Sequence, residues 1–283
     1  MRIVEEINID FYASAQARLK KYGEEYSTYA QALWGKPFSN FLDSNPGHHG
    51  MDETWQPVRA LGKGGFGMVG LWEKRNCDGV LEDSIAIKEM ERPPLDGMSN
   101  YHLERNPSVA KEAVIMKQLN DAEQARGWGT QNNILRLRSF KFFPPSRRWR
   151  FYLEFAENED LYKLLNTYKI WNTYLPEEFL WHVFHSLAKV AVIMEQGPFT
   201  DPETEQGVDG PVIHLDIKPD NAYLGKPDEK ALFPLYPTIK MADFGLSEIT
   251  HPFDEFNPLH YRKGTPDYSP PVSTFSAGLC CWP

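Results

Sequence analysis

Residues 58–74, VRALGKGGFGMVGLWEK, set Gly62, Gly64 and Gly67 between two runs of strand-like texture. The spacing is G-x-G-x-x-G, with Val69 two residues on. Glycines in such a loop let backbone amides approach phosphate oxygens with no Cβ in the way. A dinucleotide-binding unit would place the loop between a strand and a helix. Here it joins strand to strand, which directs the chain to a hairpin and away from that fold. A tight hairpin uses glycines as well, so the loop gains meaning only from its context.

The chain continues in two textures. SIAIKEM (84–90), NILRLRSF (133–140) and WRFYLEFA (149–156) read as strands. SVAKEAVIMKQLN (108–120), DLYKLLNTY (160–168) and PEEFLWHVFHSLAKVAVIME (176–195) read as helices. Loops are expected at 89–107, 120–132, 198–211 and 225–237, and the acidic, turn-rich 198–211 reads as a solvent-exposed insertion. Strands first and helices second predict an α+β protein of two lobes. Ahead of them, Val4, Ile7, Phe11, Ala15, Leu19, Tyr22, Tyr26, Tyr29 and Leu33 recur at helical spacing across residues 3–34, and Gly35, Pro37 and SNPGHHG (44–50) end the run. One such stretch is too short to establish a coiled coil, so it is read as a helix packed on the following domain. Docking of a partner is the sharper alternative.

Bulk properties narrow the classes. With 283 residues, 41% of them hydrophobic, the chain can build cores and is not a disordered one. A net charge of −9 with no basic stripe argues against a nucleic-acid partner. Cys77, Cys280 and Cys281 make neither a disulfide framework nor a zinc ligand set, which points to a reducing, intracellular compartment, cytoplasmic or nuclear. MRIVEEINID is not a signal peptide, and no segment is long and apolar enough to suggest a membrane partner.

The residues suited to chemistry follow in order. Lys88, in IAIK, can clamp phosphate if a counter-ion fixes it, and Glu112 on the next helix can be that counter-ion. HLDIKPDN (214–221) offers Asp216 to orient and deprotonate a hydroxyl nucleophile and Lys218 to neutralise a phosphoryl group in flight. Asn221, with Asp243 of MADFGLSE, offers hard oxygen ligands suited to Mg2+ carried in with a nucleotide.

Taken together, these motifs resemble the eukaryotic protein kinases of serine/threonine type, from about Leu61 to Pro271. The resemblance implies a bilobal α+β kinase-like fold. Its β-rich N-lobe would span 55–156 and be complete, and its helical C-lobe, 157–271, would be incomplete. An N-terminal helical extension and linker (1–50) and an atypical tail (272–283) would flank them. It implies ATP and Mg2+ as cofactors and a protein serine or threonine as substrate. Leu61, Gly62, Gly64, Gly67, Val69, Ala86 and Lys88 would bind the nucleotide, Glu154 and Ala156 its adenine edge through their backbone, and Asp160 its ribose. Asp216, Lys218, Lys88 and Glu112 would be catalytic, and Asn221 and Asp243 would hold metal. Leu153 would be the gatekeeper, and Leu137, Met116, Phe244 and His214 a hydrophobic spine, so that His214 is a core residue and not a base. Lys218 and the Gly264–Thr265 pair mark the serine/threonine pattern.

Three departures stand out. Leu215 replaces the arginine that in relatives binds an activation-loop phosphate, which implies switching without that phosphate, although Ser247, Thr250 and Tyr261 remain candidates for modification. Tyr223 replaces an aliphatic residue under the adenine. GTPDYSPP (264–271) carries Pro270 and Val272 where the family has alanine and glutamate, and the later helices of the large lobe are absent. Their absence is expected to expose apolar surface on helix 176–195. Two alternatives to a protein kinase follow: a catalytically impaired, nucleotide-binding scaffold, and a small-molecule phosphotransferase of the same fold.

Overall fold

The structure, a computed structural model, describes residues 55–64, 67–91, 102–103, 106–127, 132–143, 148–196, 210–250 and 264–268. The expected N-terminal helix, the 198–209 part of the acidic insertion, Tyr261 and the 272–283 tail lie outside them. The chain divides into two compact units, residues 1–92 with 138–158, and residues 93–137 with 159–283.

The first unit is built on a five-stranded sheet. Strand β1 (Trp55–Gly64) pairs antiparallel with β2 (Gly67–Arg75), and β2 with β3 (Leu81–Glu91). Two later strands, β6 (Leu137–Phe143) and β7 (Arg148–Glu154), complete the order β1-β2-β3-β7-β6. Period-two alternation sorts the side chains of the central strands to two faces. One face carries the core of Trp55, Ala60, Trp72, Ile85, Ile87 and Tyr152, with Met68 against it. Beyond this core Glu89 is buried between Arg148, 2.7 Å away, and Arg150, directly opposite on β7. Burial pushes the Tyr152 hydroxyl up to about 12.

In the second unit, short strand β4 (His102–Leu103) pairs with β5 (Asn106–Ala110), which leads into helix α1 (Lys111–Arg126). The helix starts three residues later than the sequence led us to expect, because residues 108–110 are taken into β5. It also runs on to Arg126, so the loop expected from 120 is helical at first. The segment DAEQAR favours helix, and the turn closes only at Gly127, whose φ of 59° suits glycine. The strand expected from 133 starts at Leu137, since Ile134 instead bridges in parallel to Met241. Residues 93–137 group with the helical unit, where α1 packs on the turn Phe244–Leu246.

Helix α2 (Leu161–Ile170) is capped by Asp160, whose Oδ1 accepts from the Lys163 amide at 2.8 Å. Helix α3 (Glu177–Gln196) buries Phe179, His182, Ser186, Val190, Ile193 and Met194 at helical spacing. Leu180, Trp181 and Phe184 are exposed on it. Two ribbons complete the unit: β8 (Val212–Ile213) with β11 (Glu248–Ile249), and β9 (Ala222–Pro227) with β10 (Pro237–Met241), both antiparallel.

Candidate active site

The two ribbons set the site. In the β9–β10 ribbon Ala222 faces Met241, so Asn221 and Asp243 emerge at the same end, and the Ala242 amide donates to the Asn221 carbonyl at 2.9 Å. In the β8–β11 ribbon Ile213 faces Glu248, which brings His214 beside the turn Phe244–Leu246. HLDIKPDN and MADFGLSE are thereby held together by backbone pairing on both sides.

His214 is core, as the sequence implied. It is buried, its ring centroid lies 4.7 Å from that of Phe244, and its Nε2 meets the Ala242 carbonyl at 3.0 Å. Its Nδ1 accepts from the Asp216 amide, so Nε2 carries the proton. Burial holds the imidazole below its ordinary value despite the carbonyl, which favours charge. Ser247, read above as a modification candidate, is fully buried and donates to the His214 carbonyl at 3.2 Å; in this fold its hydroxyl is not a free acceptor of phosphate.

Asp216 is the hub. Its Oδ1 accepts from the Thr265 amide at 2.9 Å and the Thr265 hydroxyl at 2.8 Å. Its Oδ2 accepts from Asn221 Nδ2 at 3.1 Å and pairs with Lys218 Nζ at 2.9 Å. Lys218 Nζ also donates to Thr265 Oγ1 at 2.8 Å. Burial by itself would raise the carboxyl; Lys218, Thr265 and Asn221 outweigh it and hold it below the usual carboxylate range. All the acceptor positions of an ionised carboxylate are thus in use, one of them by a hydroxyl. The sequence offered Thr265 only as a marker of substrate class; its direct bonds to Asp216 arise from a close approach that spacing does not reveal. Gly264 makes that approach, at φ 94°, where a Cβ would collide with the Leu215 carbonyl. Leu215 is itself left-handed, at φ 65°.

Asn221 Nδ2 also donates to the Asp216 carbonyl at 2.8 Å, which fixes the amide with its oxygen as the atom left for a cation. Asp243, at φ 61°, stands beside Gly245, and a Cβ built on Gly245 would lie 3.4 Å from Asp243 Oδ1 and 3.5 Å from Glu112 Oε2. Glu112 is thus held near Asp243 by the packing of α1 on the turn. Among the described residues no group of three His, Cys, Asp or Glu could hold a metal unaided. Amide and carboxylate oxygens suit a hard divalent ion that brings further oxygens with a nucleotide.

In the sheet unit Val69 lies opposite Lys88, Leu71 opposite Ala86, and Ala86 opposite Leu153, so the register puts Val69, Ala86 and Lys88 on one face. Lys88 is buried there, with Nζ 5.7 Å from the centre of the Phe151 ring. Leu61 is the extra residue where the β1–β2 register slips between Ala60 and Gly62, and Gly64 pairs with Gly67. Gly67 has a structural reason of its own: at φ 140°, a Cβ would strike the Glu89 carbonyl. Gly62 has open space. Glu154 ends β7, and Ala156 is buried just after it. In the helical unit Asp160 bridges to Tyr223, while burial raises its carboxyl.

Residues 55–274 match the family described as protein kinase domain. The protein named "Probable serine/threonine-protein kinase nek2" of Dictyostelium discoideum is 26% identical over 219 residues, 77% of this chain and 42% of that protein. "G2-specific protein kinase nimA" of Emericella nidulans is 29% identical over 235 residues, 77% of this chain and 29% of that protein. "Serine/threonine-protein kinase Aurora-2" of Arabidopsis thaliana is 29% identical over 235 residues, 79% of this chain and 65% of that protein. The matches thus cover less than two thirds of each relative's length. With the family model spanning most of the sequence, the chain belongs to the protein kinase family.

Proposed function

We propose that this chain transfers the γ-phosphate of ATP, with Mg2+, to serine or threonine hydroxyls of a protein substrate. The observation that carries the reading is the Asp216 carboxylate, held ionised while already accepting from a threonine hydroxyl beside Lys218. A substrate hydroxyl can take the place of Thr265 Oγ1 with the same donor geometry. Asp216 then orients the hydroxyl and receives its proton, and Lys218 neutralises charge on the oxygens being transferred. Bound Mg2+ would supply electrostatic stabilisation of the phosphate oxygens, and Asn221 and Asp243 are the residues to hold it. Leu61, Gly62, Gly64, Gly67, Val69, Ala86 and Lys88 are assigned to the nucleotide, as are Glu154, Ala156 and Asp160, and Glu112 to the catalytic set. No helix among the described residues is long and apolar enough to cross a membrane. An intracellular setting, with no nucleic-acid partner, accompanies the proposal.

The test is Mg2+-dependent transfer of labelled γ-phosphate to serine and threonine peptides. Activity in the wild type, lowered about 10²–10⁴-fold in Asp216→Asn, is the expected outcome. Stabilisation by ATP without turnover would replace the reading with a nucleotide-binding scaffold. Saturable turnover of one metabolite, with none of peptides, would make it a small-molecule phosphotransferase.

A further inference from the structure

The helical unit contains an ion pair that the proposed chemistry does not use. Lys111 Nζ lies 2.7 Å from Glu248 Oε2, and both side chains are largely buried, 12% and 16% exposed. Lys111 is the first residue of α1, and its cap, Ala110, offers no side-chain hydrogen bond. A cation there opposes the helix dipole, and local preference would place an acid instead. Its presence needs a reason outside the helix, and Glu248 supplies one. The Glu248 carboxylate offsets the lysine charge and also brings negative charge to an uncapped helix start.

Each end of the pair abuts a residue of the site. Lys111 precedes Glu112, whose carboxylate reaches the surroundings of Gly245 and Asp243. Glu248 follows Ser247, which is bonded to the His214 carbonyl, and itself pairs with Ile213 in the ribbon that leads into Asp216. A chain of contacts therefore runs from the Asp216 loop through β8 and β11 to Glu248, across the ion pair to α1, and back through Glu112 to the turn after Asp243. The ion pair is the ionic link in that circuit.

We propose that Lys111 and Glu248 are positioning residues. They lock the start of α1 onto β11 and so fix Glu112 and Asp243 in the arrangement the reaction needs. The inference rests on the kinase reading for its catalytic consequence, but not for the lock itself.

The experiment uses the whole chain with Glu248→Gln, Lys111→Met and the charge-exchanged double variant Lys111→Glu with Glu248→Lys. Amide hydrogen exchange over 112–116 and 243–249 is measured beside kcat and KM for peptide phosphorylation. Each single variant should speed exchange in both segments, leave exchange in β1–β3 unchanged, and lower kcat about tenfold with peptide KM within about twofold. The double variant should recover both readouts to within about threefold of wild type. Single variants with wild-type exchange, or a double variant no better than the singles, would overturn the lock. A wild type that transfers no phosphate would refute the kinase reading alone, and the exchange data would still decide the pair. If Lys111→Met fails to fold, the nearly isosteric Glu248→Gln and the double variant carry the comparison.

Discussion

At the scale of single residues, the site depends on backbone conformations that side chains usually avoid. Leu215 and Asp243 sit at positive φ without being glycine, and the peptide before Thr265 passes so close to Leu215 that residue 264 has no room for a Cβ. Such positions persist only where the surroundings over-determine them, and they gather at functional sites. Gly264→Ala should therefore pull Thr265 away from Asp216 and lower peptide phosphorylation at least about tenfold, while the exchange protection of β1–β3 stays as it was. Thr265→Val tests the same contact more gently. It removes the hydroxyl but keeps the amide bond to Asp216, and should cost less than Gly264→Ala. Leu215 itself brings no cation to the loop. The same assay on phosphatase-treated protein, with its mass checked, should find activity retained if no phosphate is needed to organise this loop.

At the scale of elements, the helices and strands follow from patterns visible in the chain, and the differences fall at their edges and in the expected loop 89–107, where β4 pairs with β5. The 176–195 helix was legible because its apolar positions recur at helical spacing over a long run. The start of α1 was not, because SVA suits a strand as well as a helix and only pairing with β4 decides between them. Its end is hidden because DAEQAR is polar and carries no apolar stripe, although Gly127 is a fitting stop. Gly127→Ala should destabilise the helical unit by about 1–2 kcal/mol in denaturant titration, the cost of a left-handed conformation for a residue with a Cβ. The motifs proposed as catalytic stand out by their residue types and order. The Lys111–Glu248 pair and the Thr265 contact do not, since each joins segments far apart in sequence, and no local pattern encodes which of them will meet.

At the scale of the whole molecule, buried titratable groups set how the fold responds to acid. His182 is buried among Phe179, Phe233 and Tyr236, with Nε2 on the Pro237 carbonyl at 2.8 Å. Burial holds it below the ordinary imidazole value, as it does His214. The unfolded chain then takes up protons that the folded one refuses, so stability is full above pH of about 6.5 and declines as pH falls below it. Asp216 behaves as a lowered carboxylate, and its contribution holds above about 3.9 and is lost below. Thermal midpoints measured from pH 8 to 3 should fall in two stages, and His182→Phe should flatten the first. The Asp216 network has a further consequence, for the order of assembly. Its link to Thr265 closes a separation of 49 residues, and the Asn133 side chain meets the Ile239 carbonyl across 106. Contacts of that span cost more chain entropy than the hairpin β1–β2, and form later. During refolding the β1–β2 hairpin should form before phosphate transfer returns, and a partly folded chain, lacking the donors that aim Asp216, would be chemically silent until the last segments meet.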